Sequence, residues 1–142
     1  MYQTLNLSHA EALEMIDALR RRLEGEKKAA AIAVTDSHGE LVAFLKMDGC
    51  HLPPVQIAIN KAFTAARERR PSAALGESSR THPFPITNFG DLRYTGFGGG
   101  VPLLVDGKVV GAIGISGLDD TYEAELAAFA VELVTKRSGG RA

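Results

Sequence analysis

The sequence predicts an α+β fold in which helices cover a central antiparallel sheet. Two observations predict it: two pairs of apolar, strand-like runs are each joined by a short turn, and three amphipathic helical stretches alternate with them. The predicted order is helix, hairpin, helix, loop, hairpin, helix, without an internal repeat or a linker. A chain of 142 residues suits one domain, which we expect to span 1–142 with a core from about 7 to 136.

A capping box marks the start of the first helix. In the stretch SHAE, Ser8 and Glu11 can each satisfy a backbone N–H at a helix N-terminus. The helix is predicted over about 9–24, because apolar residues then recur at helical spacing, at Ala12, Ile16, Leu19 and Leu23.

The first hairpin follows this helix. One strand contains Ile32 and Val34, the other spans 41–47, and the connecting DSHGE contains the turn-forming residues Asp36 and Gly39. Alternating apolar runs around such a turn are typical of two paired strands.

A second helix is predicted from Pro53 or Pro54, since proline is tolerated in a first helical turn. It ends at Arg70, because the residue before a proline is disfavoured in the helical region. One or two further helical turns are expected from Ser72. The buried face of the second helix is predicted to consist of Val55, Ile59, Ala62, Phe63 and Ala66.

The segment 80–100 is the least regular part of the chain, with two prolines and five glycines. A loop of this length inside a compact domain is usually functional or disordered. Its aromatic residues predict that it packs against the rest of the fold; they are Phe84, Phe89, Tyr94 and Phe97.

The second hairpin turns at Asp106-Gly107, a pair typical of a two-residue type I′ turn. Gly111 and Gly114 lie on opposite faces of its second strand and indicate close approach of a helix or a ligand. A last helix is predicted from Asp119, followed by a polar tail over 138–142. Its apolar face is predicted to consist of Tyr122, Leu126, Phe129 and Leu133.

The stretch GFGGGV does not have the context of a phosphate-binding loop. A dinucleotide fingerprint opens a helix, whereas Gly98, Gly99 and Gly100 precede a strand. A Walker A loop ends in Gly-Lys-Ser/Thr, which the sequence lacks. We therefore expect these glycines to form a bend that leads the loop back to the sheet.

Composition excludes several partners. The formal net charge is −1, which predicts no nucleic-acid partner, and no apolar run reaches the roughly 18 residues needed to cross a bilayer, so no membrane partner is expected. One cysteine, Cys50, excludes an internal disulfide. The N-terminal stretch has no signal-peptide pattern, and we expect a cytoplasmic protein.

Several polar residues are candidates for a site, each with a structural alternative. His9, His51 and His82 lack the spacing of a metal site, so no metal centre is predicted; each is a surface residue or a ligand contact. Lys61 lies beside the apolar stripe of the second helix, where its ammonium reaches the surface or is held near a pocket. Glu125 has the same two interpretations on the last helix.

Three stretches in order resemble one family: AVTDSHGELVAFLKMDG, AINKAFTAA and GGGVPLLVDGKVVGAIGISG, followed by an acidic helix. The chain resembles the GlcG/HbpS-like family, also described as DUF336 or the haem-degrading domain, which includes the C-terminal domain of PduO. The resemblance covers about 7–133. It implies a profilin-like or roadblock-like layered domain, a homo-oligomer that is often an octamer, and a place in catabolic operons.

The resemblance also implies that haem or another tetrapyrrole is a possible ligand, since some members bind one. The haem-binding histidine of some relatives lies in the first-helix region, where His9 is the only histidine of this chain. Two stretches depart from the family pattern: DGC follows the first hairpin, and LDDTYEAE begins the last helix.

Three hypotheses for the function follow from these residues. In the first, a small-molecule-binding protein holds haem, another tetrapyrrole or an organic acid in a pocket between the sheet, the MDGCH turn and the 80–100 loop. Lys61 or Arg93 would meet a ligand carboxylate. The expected binding residues are His9, His51, Phe84, Phe89, Arg93, Phe97, Gly99 and Gly100.

The alternative is a small cofactor-independent enzyme, such as an isomerase or hydratase of a catabolic pathway. Its acid and base would come from four residues: Asp48, Lys61, His82 and Glu125. A module that only binds partner proteins is a third hypothesis.

Overall fold

A computed structural model describes residues 1–138 of the chain. The elements are α1 (His9–Gly25), β1 (Ala31–Asp36), β2 (Leu41–Lys46), α2 (Pro53–Glu68), α3 (Ser72–Thr81), a 3-10 turn (Ile86–Phe89), β3 (Gly100–Val105), β4 (Lys108–Ser116) and α4 (Asp120–Ser138). The four strands form an antiparallel sheet in the order β2-β1-β4-β3, so β1 of the first hairpin pairs with β4 of the second. The predicted α+β class and layered architecture are confirmed.

Helices cover both faces of the sheet. Large side chains such as Ile32 and Val34 face α1 and α4, where the main core lies. Ala31 and Ala33 face the opposite way, towards α2. Small residues on this second face bring the backbone of α2 close to the sheet: a Cβ on Gly114 would lie 2.2 Å from the Ala58 carbonyl oxygen. The predicted close approach at Gly114 is therefore that of a helix.

Two local predictions from the sequence are confirmed, the capping box of α1 and the turn of the second hairpin. Ser8 and Glu11 form the capping box of α1, each accepting a hydrogen bond from a backbone N–H of the other residue. Asp106 and Gly107 both have positive φ, 51° and 75°, as a type I′ turn requires. The polar tail predicted over 138–142 lies outside the described residues from 139 onwards.

Two elements differ from the prediction. α3 has ten residues, more than the one or two turns expected. The predicted apolar face of α4 is confirmed at Leu126, which is fully buried, but not at Phe129, which is 36% exposed beside the Arg22 guanidinium. Tyr122 and Leu133 are half-buried. The residues of α4 that are buried are Glu123, Leu126, Ala127, Ala130 and Val134. Within residues 1–138 no helix is long and apolar enough to cross a membrane.

Candidate functional site

The aromatic residues of the loop pack against α2. The Phe89 and Tyr94 rings stack with centroids 4.4 Å apart, and Tyr94 meets Phe63 of α2 edge-on at 5.0 Å. Phe84 lies 6.2 Å from Phe89. Phe84 and Phe89 are thus placed in an aromatic cluster that anchors the loop, whereas Phe97 stands outside it and is 58% exposed.

Arg93 joins this cluster to the first hairpin. Its guanidinium lies 4.0 Å from the Phe63 ring centroid and donates hydrogen bonds to Asp91 (2.9 Å) and Glu40 (3.1 Å). The two carboxylates raise the pKa of Arg93, and Arg93 in turn lowers the pKa of Asp91. The charge expected to meet a ligand carboxylate is therefore already matched by two acidic side chains of the chain itself.

A cavity of about 450 Å³ lies between α3 and the loop. α3 and the loop come together closely at its floor, because a Cβ on Gly76 would lie 2.3 Å from the Gly96 carbonyl oxygen. The wall contains Phe97 but not Phe84, Phe89 or Arg93. The large apolar side chains of the wall are Pro85, Ile86, Leu92, Tyr94 and Phe97, and its polar side chains are Ser79, Arg80, Thr87, Asp91 and Thr95.

The position of this cavity corrects the predicted one. We expected a pocket between the sheet, the MDGCH turn and the loop, but neither the sheet nor that turn lines the cavity. The reason is steric: α2 covers β3 and β4 on one face and α4 covers them on the other, so these helices occupy the space next to the sheet where the pocket was expected.

Lys61 lies neither at the surface nor in the cavity. Its ammonium donates to the Ile115 carbonyl oxygen at 2.9 Å and to both carboxylate oxygens of Glu123, at 3.1 and 3.3 Å. Both side chains are 2% exposed. Burial raises the pKa of Glu123 to about 7, against the opposing effect of the Lys61 charge. α2 and α4 are therefore joined through a buried ion pair.

Glu123 is a buried acidic residue that was not among the predicted site residues. The signal was its spacing: Glu123 precedes the buried Ala127 and Ala130 by four and seven residues, so it lies on the buried face of α4. The predicted apolar face was drawn through large residues such as Tyr122 and Leu126 and did not include Glu123.

The backbone of Gly99 and Gly100 packs directly against this ion pair. A Cβ on Gly99 would lie 2.7 Å from the Ile115 carbonyl oxygen and 3.0 Å from the Lys61 ammonium, and one on Gly100 would lie 2.3 Å from the Lys61 carbonyl oxygen. Ser72 holds the segment in place, since its hydroxyl accepts from the Gly100 N–H and donates to the Phe97 carbonyl. Gly99 and Gly100 are thus positioned beside the pair rather than in the cavity wall.

The predicted histidines lie apart from the cavity. His9 is exposed at the start of α1, His51 is exposed before α2, and His82 is exposed at the end of α3. None of them lines the cavity. Cys50 is buried, which raises the pKa of its thiol and disfavours a reactive thiolate.

The four candidate catalytic residues are not brought together. Glu125 is paired with Arg22 at 3.3 Å, and Asp48 lines a second, polar cleft. No described contact joins Asp48, Lys61, His82 or Glu125 to another of the four. Among residues 1–138 no group of three or more His, Cys, Asp or Glu side chains could hold a metal ion.

The layered sheet and the loop cavity define a small α+β domain with a cavity of ligand size. Residues 7–132 match the family described as "Haem degrading protein HbpS-like", and the chain belongs to this HbpS-like family. The resemblance noted in the sequence is confirmed.

Known relatives support the same assignment. Protein GlcG of Escherichia coli is 33% identical over 116 residues, which cover 78% of this chain and 81% of GlcG. The crystal structure of Klebsiella pneumoniae protein ORFY superposes with a TM-score of 0.84 at 23% identity, covering 93% of this chain and 92% of ORFY. The crystal structure of a PduOC:heme complex gives a TM-score of 0.83 at 22% identity, covering 92% and 96%. At these identities the two structures show the fold.

Proposed function

We propose that the chain is a small-molecule-binding protein and that its ligand occupies the cavity between α3 and the loop. The observation that supports this most is the lining: most of the surface around about 450 Å³ is apolar, and Arg80 is the one cation among the described residues of the wall. The one acid among them, Asp91, is paired with Arg93. A volume of ~300–1,000 Å³ with few polar groups is typical of small-molecule sites. The lining favours a planar, largely apolar ligand that bears a carboxylate.

Haem is the first candidate for this ligand. The HbpS-like family is described as haem-degrading, and a structural relative was crystallised with haem. Pro85, Ile86, Leu92 and Phe97 offer apolar surface for a porphyrin ring, and Arg80 offers a cation for a propionate.

The lining fits the ring of haem better than its iron. It contains no His, Cys or Met, and Tyr94 is the one side chain in it of a type that ligates haem iron. The proposal is therefore one of binding and assigns no reaction to the iron. It follows that the metal-free porphyrin should bind nearly as well as haem.

Titration with haemin and with protoporphyrin IX, followed by the Soret band, tests this proposal. Both ligands should bind with affinities within about threefold of each other, because the contacts are to the ring. Phe97→Ala should weaken both about tenfold through lost aromatic contact, and Arg80→Gln about threefold through a lost surface charge.

Matched controls exist on the other side of the molecule. Phe129→Ala removes a partly exposed aromatic ring, and Arg21→Gln removes an exposed helical arginine that, like Arg80, pairs with one carboxylate. Both should leave binding unchanged. Absence of a Soret shift at stoichiometric haemin would exclude haem. If His9→Ala weakened binding and Phe97→Ala did not, the ligand would lie at α1 and the cavity would be excluded.

The contacts favour binding over the acid–base alternative. A general acid or base must come within hydrogen-bond reach of its substrate, whereas Lys61 is sealed against Glu123 and the other three candidates lie elsewhere. None of the four candidates lines the loop cavity.

We also propose that the chain forms a homo-oligomer. Large apolar side chains remain exposed on several elements, among them Leu13 of α1, Leu104 of β3 and Phe129 of α4. Their burial between copies would stabilise an assembly. Sedimentation velocity of the full chain tests this: a single monomeric species at tens of micromolar would contradict it.

A further inference from the structure

A second cleft, of about 650 Å³, shares no lining residue with the loop cavity. It is formed where α1 ends and where β2 leads into the turn before α2. Four of its lining residues are cations and two are acids, although the chain as a whole has a net charge of −1. The charged residues of this basic cleft are Arg20, Lys27, Lys28, Lys46, Glu24 and Asp48.

Two of the four cations are neutralised within the chain. Arg20 pairs with Asp17 at 2.6 Å and with Glu24 at 2.9 Å. Lys28 has Glu26 at 3.8 Å and the Tyr122 ring centroid at 4.5 Å. Lys27 and Lys46 make no ion pair with any residue of the described part of the chain. Two positive charges therefore line the basic cleft without a partner, with Asp48 the one acid there that is equally unpaired.

Lys27 also adopts a backbone conformation that favours glycine. Its φ is +55°, and the Lys28 N–H donates to the Leu23 carbonyl at 2.9 Å, so Lys27 is the left-handed residue that closes the C-terminus of α1. Glycine is the usual residue there because a Cβ is unfavourable in this region. A cation is favoured at the C-terminus of a helix, so a lysine suits this position even without a ligand. The same side chain lines the cleft and has no acidic partner among the described residues.

We propose that the basic cleft binds a small multivalent oxyanion, carboxylate or phosphate, between Lys27 and Lys46. Lysine ammonium groups attract either anion as point charges. Asp48 opposes the binding of an anion close to its own side chain, because a carboxylate repels a nearby negative charge. This site is separate from the loop cavity and does not depend on what binds there.

Amide chemical shifts of the full chain, titrated with citrate and in a second series with inorganic pyrophosphate, test the proposal. At constant ionic strength the largest shifts should fall at residues 27–28 and 46–49 and should saturate below about 10 mM. Lys27→Gly and Lys46→Gln should each weaken binding about fivefold, the effect of one charge contact near water. Asp48→Asn should strengthen it. The tighter of the two anions identifies the carboxylate or the phosphate class.

Arg69→Gly is the matched control for Lys27→Gly. Arg69 closes α2 with a φ of +58°, so both substitutions remove one cation and relieve the same backbone conformation, but Arg69 does not line the cleft. Both variants should unfold at the same temperature as the natural chain or higher, and only Lys27→Gly should lose affinity. Equal affinities of the two variants, shifts centred elsewhere, or no saturation with either anion would overturn the proposal.

Discussion

The segment Gly96–Gly100 borders two regions of opposite character. At its C-terminal end, Gly99 and Gly100 cover the buried pair of Lys61 and Glu123 with backbone alone. At its N-terminal end, Gly96 and Phe97 line the open, apolar loop cavity. Ser72 connects the two, because its hydroxyl bonds to the backbone at both Phe97 and Gly100.

The difference between the two ends shows which part of this glycine-rich segment indicates a ligand-binding function. The glycines that looked most like a ligand-binding loop serve close packing, and the charged residues beneath them have no access to solvent. The ligand-sized space lies beside the less conspicuous end of the motif. We therefore expect substitutions at the closed end to change stability and those at the open end to change binding.

The largest effect should come from breaking the buried pair. Lys61→Ala leaves the Glu123 carboxylate buried without a partner, and we expect a loss of about 3–5 kcal/mol in the free energy of unfolding at pH 8. Urea denaturation measures it. In the double variant Lys61→Met with Glu123→Leu the loss should largely disappear, because apolar side chains of similar size can replace a buried pair. A loss below 1 kcal/mol for Lys61→Ala would mean that the pair is open to water.

Adjacent glycines provide the next test. Gly100→Ala places a Cβ 2.3 Å from the Lys61 carbonyl oxygen, so backbone must move, and we expect a loss of about 1–3 kcal/mol. The control is Gly98→Ala, whose Cβ would lie at an ordinary 3.5 Å from the Ala73 Cβ and whose φ is not positive. Similar unfolding free energies for the two variants would show that the segment is not packed as described.

A smaller effect should appear as a pH dependence. The pKa of Glu123 is about 7 in the folded chain, above its ordinary value of 4.5, because burial disfavours the carboxylate. The folded chain then holds a proton that the unfolded chain has released, so stability from this group is complete below about pH 4.5 and is lost as pH rises through 7. Unfolding free energies measured from pH 5 to 8 should fall, and Glu123→Gln should remove this slope.

The fold could be predicted because its signals are local. The capping box of α1, the Asp106-Gly107 turn and the proline before α3 each act within a few residues of the chain. The buried pair could not be predicted in this way, since Lys61 and Glu123 are 62 residues apart and meet only when α2 and α4 pack on the same end of the sheet.

The site was predicted less well for the same reason. The sequence does not show that Phe84 and Phe89 pack against each other, or that Arg93 pairs with Asp91 and Glu40. Aromatic and charged residue types occur both in contacts within a chain and in ligand-binding sites, so the residue type alone does not distinguish the two roles. The packing of the folded chain distinguishes them, and it places Phe97 in the wall of the cavity.

Phe97 therefore provides the last and smallest effect on stability. Its side chain is 58% exposed and makes no ring contact with the aromatic cluster, so Phe97→Ala should change the free energy of unfolding by less than about 0.5 kcal/mol. Tyr94→Ala is the informative comparison, because it removes the ring that contacts both Phe63 and Phe89 and should cost about 2–4 kcal/mol. Urea denaturation of the two variants distinguishes an aromatic side chain that anchors the loop from one left free for a ligand. Equal losses would assign Phe97 to the packing of the loop and remove it from the proposed site.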